Sequence, residues 1–292
     1  MNRPLDLDTS AAFRVDRLVD VLIPTRNRPA ELAVTLAGLA AQEGVPGFGV
    51  VVSDQSDGEP AFAHPAAATM VRALRQRGHP VLLTRRLPRR GLAEHRAYLL
   101  AASAARYVLN LDDDIWLEPG TLRRLVTALD ELGCGFVGNG VHGLSYSDDV
   151  RPETHGHYEE WIDRPVPERI RPGTPEWNRA RIHSAANLLH VTEQLALPPG
   201  AWRAYKVSWI GGCVLYDRAK LVDSGGFDFW RRVQEKHQGE DVAAQLSVLA
   251  RHGGAGILPS GAHHLESPTT VTDRDVEAWE VVLADEDAAQ PA

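Results

Sequence analysis

The chain has 292 residues, with 31 Lys and Arg against 39 Asp and Glu, and a net charge of −8 near neutral pH. That length permits one large α/β domain or two small ones, and the acidic balance argues against general nucleic-acid binding. No apolar run approaches the ~20 residues of a membrane span, and the polar, acidic stretch Met1–Ser10 carries no signal-peptide pattern. The expectation is a cytoplasmic protein without a transmembrane anchor. Abundant Ala and Arg point to a GC-rich bacterial genome. Cys134 and Cys213 lie in apolar, Gly-bearing stretches with no Cys-x-x-Cys, and read as reduced core thiols.

After a short N-terminal extension, 1–17, strand-then-loop units begin. Leu18 to Ile23 is apolar and ends at Pro24-Thr25-Arg26-Asn27-Arg28-Pro29. Leu32, Leu36 and Leu39 then share one helical face, with Pro29 suited to the first turn. Phe48 to Val52 is a second strand ending at Ser53-Asp54-Gln55-Ser56-Asp57-Gly58, and Val71 and Leu74 mark a second helix. Val81 to Leu83 ends in a basic loop, Arg85 to Gly91, and a third helix follows through Leu92, His95-Arg96 and Leu99-Leu100. Alternating strands and helices predict right-handed crossovers and a mostly parallel sheet, and such sheets bind ligands at the carboxyl ends of their strands. The polar loops all fall there.

The fourth strand, Tyr107 to Leu111, ends in Asp112-Asp113-Asp114. Three adjacent carboxylates repel one another and need compensation. Hard oxygens suit Mg2+ or Mn2+, ions usually held by one or two carboxylates plus substrate phosphates. The competing reading is a solvated acidic loop, with Asp114 near the cap of a helix starting at Pro119. That helix runs to Leu132, and Gly133 stops it; Gly135 to Gly138 reads as a further strand. From His142 to about Tyr205 the chain is polar, rich in His, Trp, Pro and Arg, with one candidate helix at Trp177 to Val191. It reads as an acceptor-binding insertion or lid, or else as a subdomain that only packs. The acidic, Ala-rich end after Trp279 is expected to fray. The division is thus a first half at 18–140, an irregular insertion at 141–206, a second half at 207–270 and a tail at 271–292.

The motifs resemble those of the family 2 glycosyltransferases of the GT-A fold. Ile23 to Pro29 resembles that family's opening motif, and Val52 to Asp57 its second-strand motif, with one residue missing before Asp57. Gly91-Leu92-Ala93-Glu94-His95-Arg96 through Asp114 matches the Gly-to-triad segment without a gap, although Ala97 stands where Asn is usual and Leu99 where Gly is usual. Gly211-Gly212, Gly225-Gly226-Phe227-Asp228, Gly239-Glu240-Asp241 and Pro259 followed by His263-His264 continue the match in order. The similarity covers roughly 18–265, more weakly in the middle. Many motifs in sequence order carry far more weight than one. It implies a Rossmann-like GT-A fold, a mostly parallel sheet with helices on both faces plus an irregular acceptor-side insertion. The activity implied is transfer of a sugar from a nucleotide diphosphate to a hydroxyl or amine acceptor.

By this resemblance Asp112 lies near the ribose and Asp114 binds Mn2+ or Mg2+, which stabilises the leaving diphosphate. Asp113 is expected to point away from its neighbours on an extended segment and to support the site by hydrogen bonding. His263 or His264 completes the metal site. Pro24, Thr25 and Arg26 line the nucleotide, and Asp54 accepts from the ring N–H that uracil and thymine possess, which favours UDP or dTDP. Arg28 and Arg96 are candidates for phosphate or base contact; the alternative for Arg96 is an ion pair with nearby acids. Asp57 and Gly58 can simply form a turn. The resemblance favours Asp241 over Glu240 as general base; a base opposite the leaving group implies one in-line displacement with inversion. Trp161, Trp177, Trp202 and Trp209 are candidate sugar platforms, or anchors of the insertion. A glycan, a lipid-linked molecule or a small natural product fits as acceptor. The alternatives are a sugar-phosphate nucleotidyltransferase, although the first loop lacks Gly, a metal phosphohydrolase, and a non-catalytic nucleotide-sugar-binding protein.

Overall fold

The computed structural model describes residues 17–45, 47–269 and 275–288. The expected extension 1–17, apart from Arg17, and tail positions 271–274 and 289–292 lie outside the described residues. In chain order the elements are β1 (Val19–Thr25), α1 (Pro29–Ala40), β2 (Gly49–Asp54), α2 (Pro65–Gln76), β3 (Val81–Arg85), α3 (Leu92–Ala102), β4 (Tyr107–Leu111), β5 (Ile115–Leu117), α4 (Thr121–Leu132) and β6 (Phe136–Gly138). Then come β7 (His142–Gly143), α5 (Pro152–His155), α6 (Asn187–Leu195), β8 (Arg203–Tyr205), β9 (Cys213–Asp217), α7 (Arg218–Asp223), α8 (Glu240–His252), β10 (Gly254–Leu258), β11 (Ala262–His264) and α9 (Ala278–Ala288).

The central sheet has eight strands in the order β3-β2-β1-β4-β9-β6-β10-β8. β1 to β4 are mutually parallel, β9 runs antiparallel between β4 and β6, and β8 is antiparallel at the β10 edge. The pleat feeds two cores. Val19, Val21 and Ile23 of β1 face one layer with Leu32, Leu36 and Leu39 of α1, while Leu22 faces the other with Leu99 of α3 and Leu249 of α8. The three α1 leucines are fully buried, each contributing about 1.5–3 kcal/mol relative to exposure. Helices therefore cover both faces, as the strand–helix alternation predicts. A small second sheet, β5-β11-β7, stands beside the triad.

Three local expectations change. The helix after the triad starts at Thr121, because Gly120 takes a left-handed conformation ahead of it. The helix expected over Trp177 to Val191 is split into a 3-10 segment at Glu176–His183 and α6. The insertion contributes β8, which pairs with β10. The end after Trp279 is helical rather than frayed as far as Ala288, and Val282 and Leu283 of α9 are buried in the α8 layer. No helix among the described residues is long and apolar enough to cross a membrane, and both cysteines are buried and free.

Candidate functional site

The parallel register brings Thr25 level with Asp54, and Asp54 level with Arg85, so the loops after β1 to β4 open on one edge. A cavity of about 660 Å³ lies there. Its walls come from Pro24, Thr25, Arg26 and Arg28 after β1, Asp112 to Asp114 after β4, the start of α3, the loop 235–237, and His264.

The triad is held by a turn and not by extended chain. Arg28 Nη1 donates to Asp113 Oδ1 at 3.1 Å and to Asp114 Oδ2 at 2.6 Å, so Asp113 does not point away from Asp114 as expected. The reason is that β4 ends at Leu111 and a turn at Asp113-Asp114 leads into β5. Thr25 Oγ1 donates to Asp113 Oδ2 at 2.7 Å, and Thr35 Oγ1 to the Asp113 carbonyl at 2.8 Å. Burial pushes the Asp113 carboxyl up to about 7 against the pull of Thr25 and Arg28. Burial acts the same way on Asp114, but His264 and Arg28 outweigh it and hold Asp114 below the usual carboxylate range. His264 Nε2 lies 3.4 Å from Asp114 Oδ2, which raises its proton affinity in return.

This donor set fits a hard divalent cation. Asp114 pairs with an imidazole, and Asp112 lines the same cavity. Among the described residues no group of three or more His, Cys, Asp or Glu gathers closely enough to hold a metal alone. A diphosphate would therefore have to supply further ligands, as Mg2+ sites commonly require. His263 is not part of the set: neighbouring residues of a strand face opposite ways, and His263 Nε2 pairs with Glu118 at 2.8 Å beside Trp116 and His142.

Behind Asp112 lies a buried ion network. Arg96 donates from Nη2 to Asp112 Oδ1 at 2.7 Å and from Nε to Glu240 Oε1 at 2.8 Å. Burial opposes the guanidinium charge, but Asp112, Glu240 and Asp241 together raise its proton affinity. Arg96 thus takes the ion-pair alternative, and Glu240 is engaged by it. Asp241, next to Glu240 in the first turn of α8, is pushed up to about 7 by burial and the Glu240 charge, with Asp112 adding to this and Arg96 opposing it. Its Oδ1 accepts from the Val242 backbone N–H at 2.9 Å. Gly211-Gly212 separates it from Asp112: a Cβ on Gly212, which has φ +77°, would stand 3.3 Å from Asp112 Oδ2 and 2.5 Å from Ile115 Cδ1. The positive φ and the close Ile115 side chain both call for glycine at position 212.

Asp54 does not reach the cavity. It is fully buried, and its carboxylate accepts from the backbone N–H of Ser56 (2.8 Å) and of Ala61 (2.9 Å) and from Ser56 Oγ (2.9 Å). It closes its own loop, and the neighbouring Gln55 lines the wall instead. None of the four tryptophans lines the cavity. Trp177 packs on Trp209 at 4.7 Å and on Trp279 at 5.1 Å, while Trp161 and Trp202 pack against the α1-side core. Arg26 reaches the cavity and pairs with the exposed Asp57 at 3.2 Å.

Sequence reasoning missed Gln55, Arg89, His95 and the loop Glu235-Lys236-His237, all lining residues. Arg89 belongs to the basic loop already noted, and the 235–237 loop precedes Asp241 by a few residues; these were the available signals. His237 Nε2 accepts from the Ala93 N–H at 3.1 Å, which caps α3 from a distant loop. Gly91, with φ +91°, permits that approach, since a Cβ there would meet His237 Cε1 at 2.5 Å.

The fold is that of the GT-A glycosyltransferases. A family model described as glycosyl transferase family 2 matches residues 20–190, and the chain belongs to that family. Comparison with curated protein sequences gives no significant match. Among solved structures, S. aureus TarS 1-349 in complex with UDP-GlcNAc aligns with a TM-score of 0.52 at 16% identity, over 87% of this chain and 60% of that one. A mannosyltransferase from Pyrobaculum calidifontis, PcManGT in complex with GDP-Man and Mn2+, aligns with a TM-score of 0.53 at 15% identity, over 99% of this chain and 69% of that one. The chain spans about 60% of the length of the TarS 1-349 structures that it matches. At these identities the likeness is one of fold.

Proposed function

We propose that this chain transfers a sugar from a nucleoside diphosphate donor to a hydroxyl or amine acceptor, with a divalent cation and with inversion. The observation that carries the reading is the cavity at the strand ends, where Asp112 to Asp114 and His264 meet Arg26, Arg28, Arg89 and Lys236, with Asp112 joined through Arg96 to Glu240, the neighbour of Asp241 at the start of α8. Arg26, Arg28, Arg89 and Lys236 supply positive charge for a diphosphate. Asp114 and His264, with Asp112 beside them, would hold Mn2+ or Mg2+, whose charge offsets that of the leaving diphosphate.

The chemistry then falls to the acids. The Asp241 carboxylate takes the acceptor proton, the acceptor atom forms its bond to the anomeric carbon, and the carbon–oxygen bond to the diphosphate breaks with its electron pair. Burial and the Glu240 charge raise the proton affinity of Asp241 above that of an ordinary carboxylate, the direction that suits a general base. Arg96 orients Asp112 and Glu240 on either side without entering the cavity wall.

The test is a panel of nucleotide sugars with and without Mn2+, with the first-formed glycoside examined by NMR. Inverted configuration is expected. Asp241→Asn should keep nucleotide binding and lose about 10²–10⁴-fold in transfer; Asn caps a helix nearly as well as Asp, so near wild-type transfer, or a retained configuration, would remove Asp241 from this role.

A further inference from the structure

Between the 3-10 turn Asp228–Arg231 and α8 the chain forms a loop, 232–239. Three of its residues, Glu235, Lys236 and His237, line the cavity, and it runs directly into Glu240 and Asp241. Loops with few packed contacts open at low free-energy cost, so a loop that shapes a cavity needs anchors. One anchor lies on the cavity side. His237 is 4% exposed; its Nδ1 lies 2.6 Å from the Gln234 carbonyl, and its Nε2 accepts from the Ala93 N–H of α3. Because Nε2 accepts, the ring proton stands on Nδ1 and is donated to Gln234.

The other anchor comes from the far end of the chain. The Gln238 N–H donates to the Val276 carbonyl at 3.0 Å, and the Ala278 N–H donates to the Gln238 carbonyl at 2.9 Å, a parallel bridge of Gln238 with Glu277. The Glu277 side chain closes this bridge. Its Oε1 accepts from Gln238 Nε2 at 2.6 Å and its Oε2 from Trp279 Nε1 at 2.8 Å. Hydrogen bonds to a charged group are the stronger kind. Gly239, with φ +71°, makes room for the carboxylate: a Cβ there would stand 2.7 Å from Glu277 Oε2 and 3.0 Å from Trp279 Cδ1. The segment that supplies these contacts is itself fixed. Ala278 is fully buried, Trp279 packs on Trp177, and Val282 and Leu283 are buried against the α8 layer.

We propose that 276–279 is a strap that positions the donor-cavity wall, with Glu277 as its positioning residue. Glu277 holds Gln238 and the backbone of Gly239. The residues before them, Lys236 and His237, are thereby kept against α3 at the cavity, and α8 starts from a fixed point. Glu277 touches neither nucleotide nor metal in this role. The inference rests on the donor-cavity reading above.

The test compares Glu277→Ala and Glu277→Gln with Leu283→Ala, which loosens the packing of α9 away from the strap. Calorimetry in Mn2+ with UDP, GDP and inorganic pyrophosphate gives the affinities, and amide hydrogen exchange follows Ala93 and Gln238, whose N–H groups bond to His237 and Val276. In Glu277→Ala both amides should exchange faster, and the nucleotide that binds the wild-type protein should bind about 3–30-fold more weakly. Glu277→Gln keeps one accepting oxygen and should fall between; it serves if Glu277→Ala does not fold. Leu283→Ala should lower stability to urea and leave the affinity as it was. Unchanged affinity in Glu277→Ala, or an equal loss in Leu283→Ala, overturns the inference, because Glu277 would then only help to dock α9. Either result sinks the strap alone; if neither nucleotides nor pyrophosphate bind the wild-type protein, the donor-cavity reading falls and takes it along.

Discussion

Arg96→Met removes the cation on which two acids converge. Arg96 holds Glu240 at 2.8 Å and Asp112 at 2.7 Å; the Glu240 side chain is 5% exposed and that of Asp112 38%. Water can therefore compensate Asp112 after the change, but not Glu240. Leaving a buried charge unpaired commonly costs about 3–5 kcal/mol, and the loss here should come mostly from Glu240. For a chain of this size that corresponds to a fall in Tm of roughly 6–20 °C. The double variant Arg96→Met with Glu240→Met should recover most of it, because apolar pairs of similar volume replace buried ion pairs at little cost. Urea denaturation of the single and double variants measures the cycle. A single-variant loss below about 1 kcal/mol, the range of exposed pairs, would refute the view of Arg96 as the buried keystone between α3, the triad and α8. A second readout follows the sign of the charge. Arg96 lowers the proton affinity of Asp241, so if the variant retains transfer, the pH limb assigned to Asp241 should move to higher pH.

Three further outcomes are expected. Asp114→Ala should abolish the Mn2+-dependent part of UDP binding in calorimetry; unchanged metal dependence would mean that the triad is not the clamp. Trp177→Ala should lose about 2–4 kcal/mol on chemical denaturation, since it opens the Trp177–Trp209–Trp279 cluster that docks α9, whereas a changed acceptor KM at unchanged stability would restore the platform role. Asp241 keeps its proton to about pH 7 when folded, against 3.8 for the ordinary group, so between about pH 4 and 7 the folded state binds more protons. Its contribution to stability therefore falls as pH rises through that window, and Asp241→Asn should flatten this part of the pH–stability curve.

What was legible in the chain followed from its periods. Alternation along Val19 to Ile23 and the spacing of Leu32, Leu36 and Leu39 each report a local geometry, and local geometry needs no partner to be read. The loop edge followed as well, because parallel strands force their carboxyl ends together. The charges behaved differently, since a carboxylate is defined by what meets it. Arg96 and Glu240 are separated by 144 positions, and no pattern within either segment announces the other. His263 and His264 look identical in sequence, yet one strand step turns the first to Glu118 and the second to Asp114. Asp54 stands at the strand end where a base reader was expected, and two backbone N–H groups and a hydroxyl of its own loop claim it first. Gln55 and His95 had the opposite fate. Both stood inside quoted motifs without a role, and only the folded chain shows that they line the cavity. Which residues line a cavity is thus a property of the assembled walls and of no single segment.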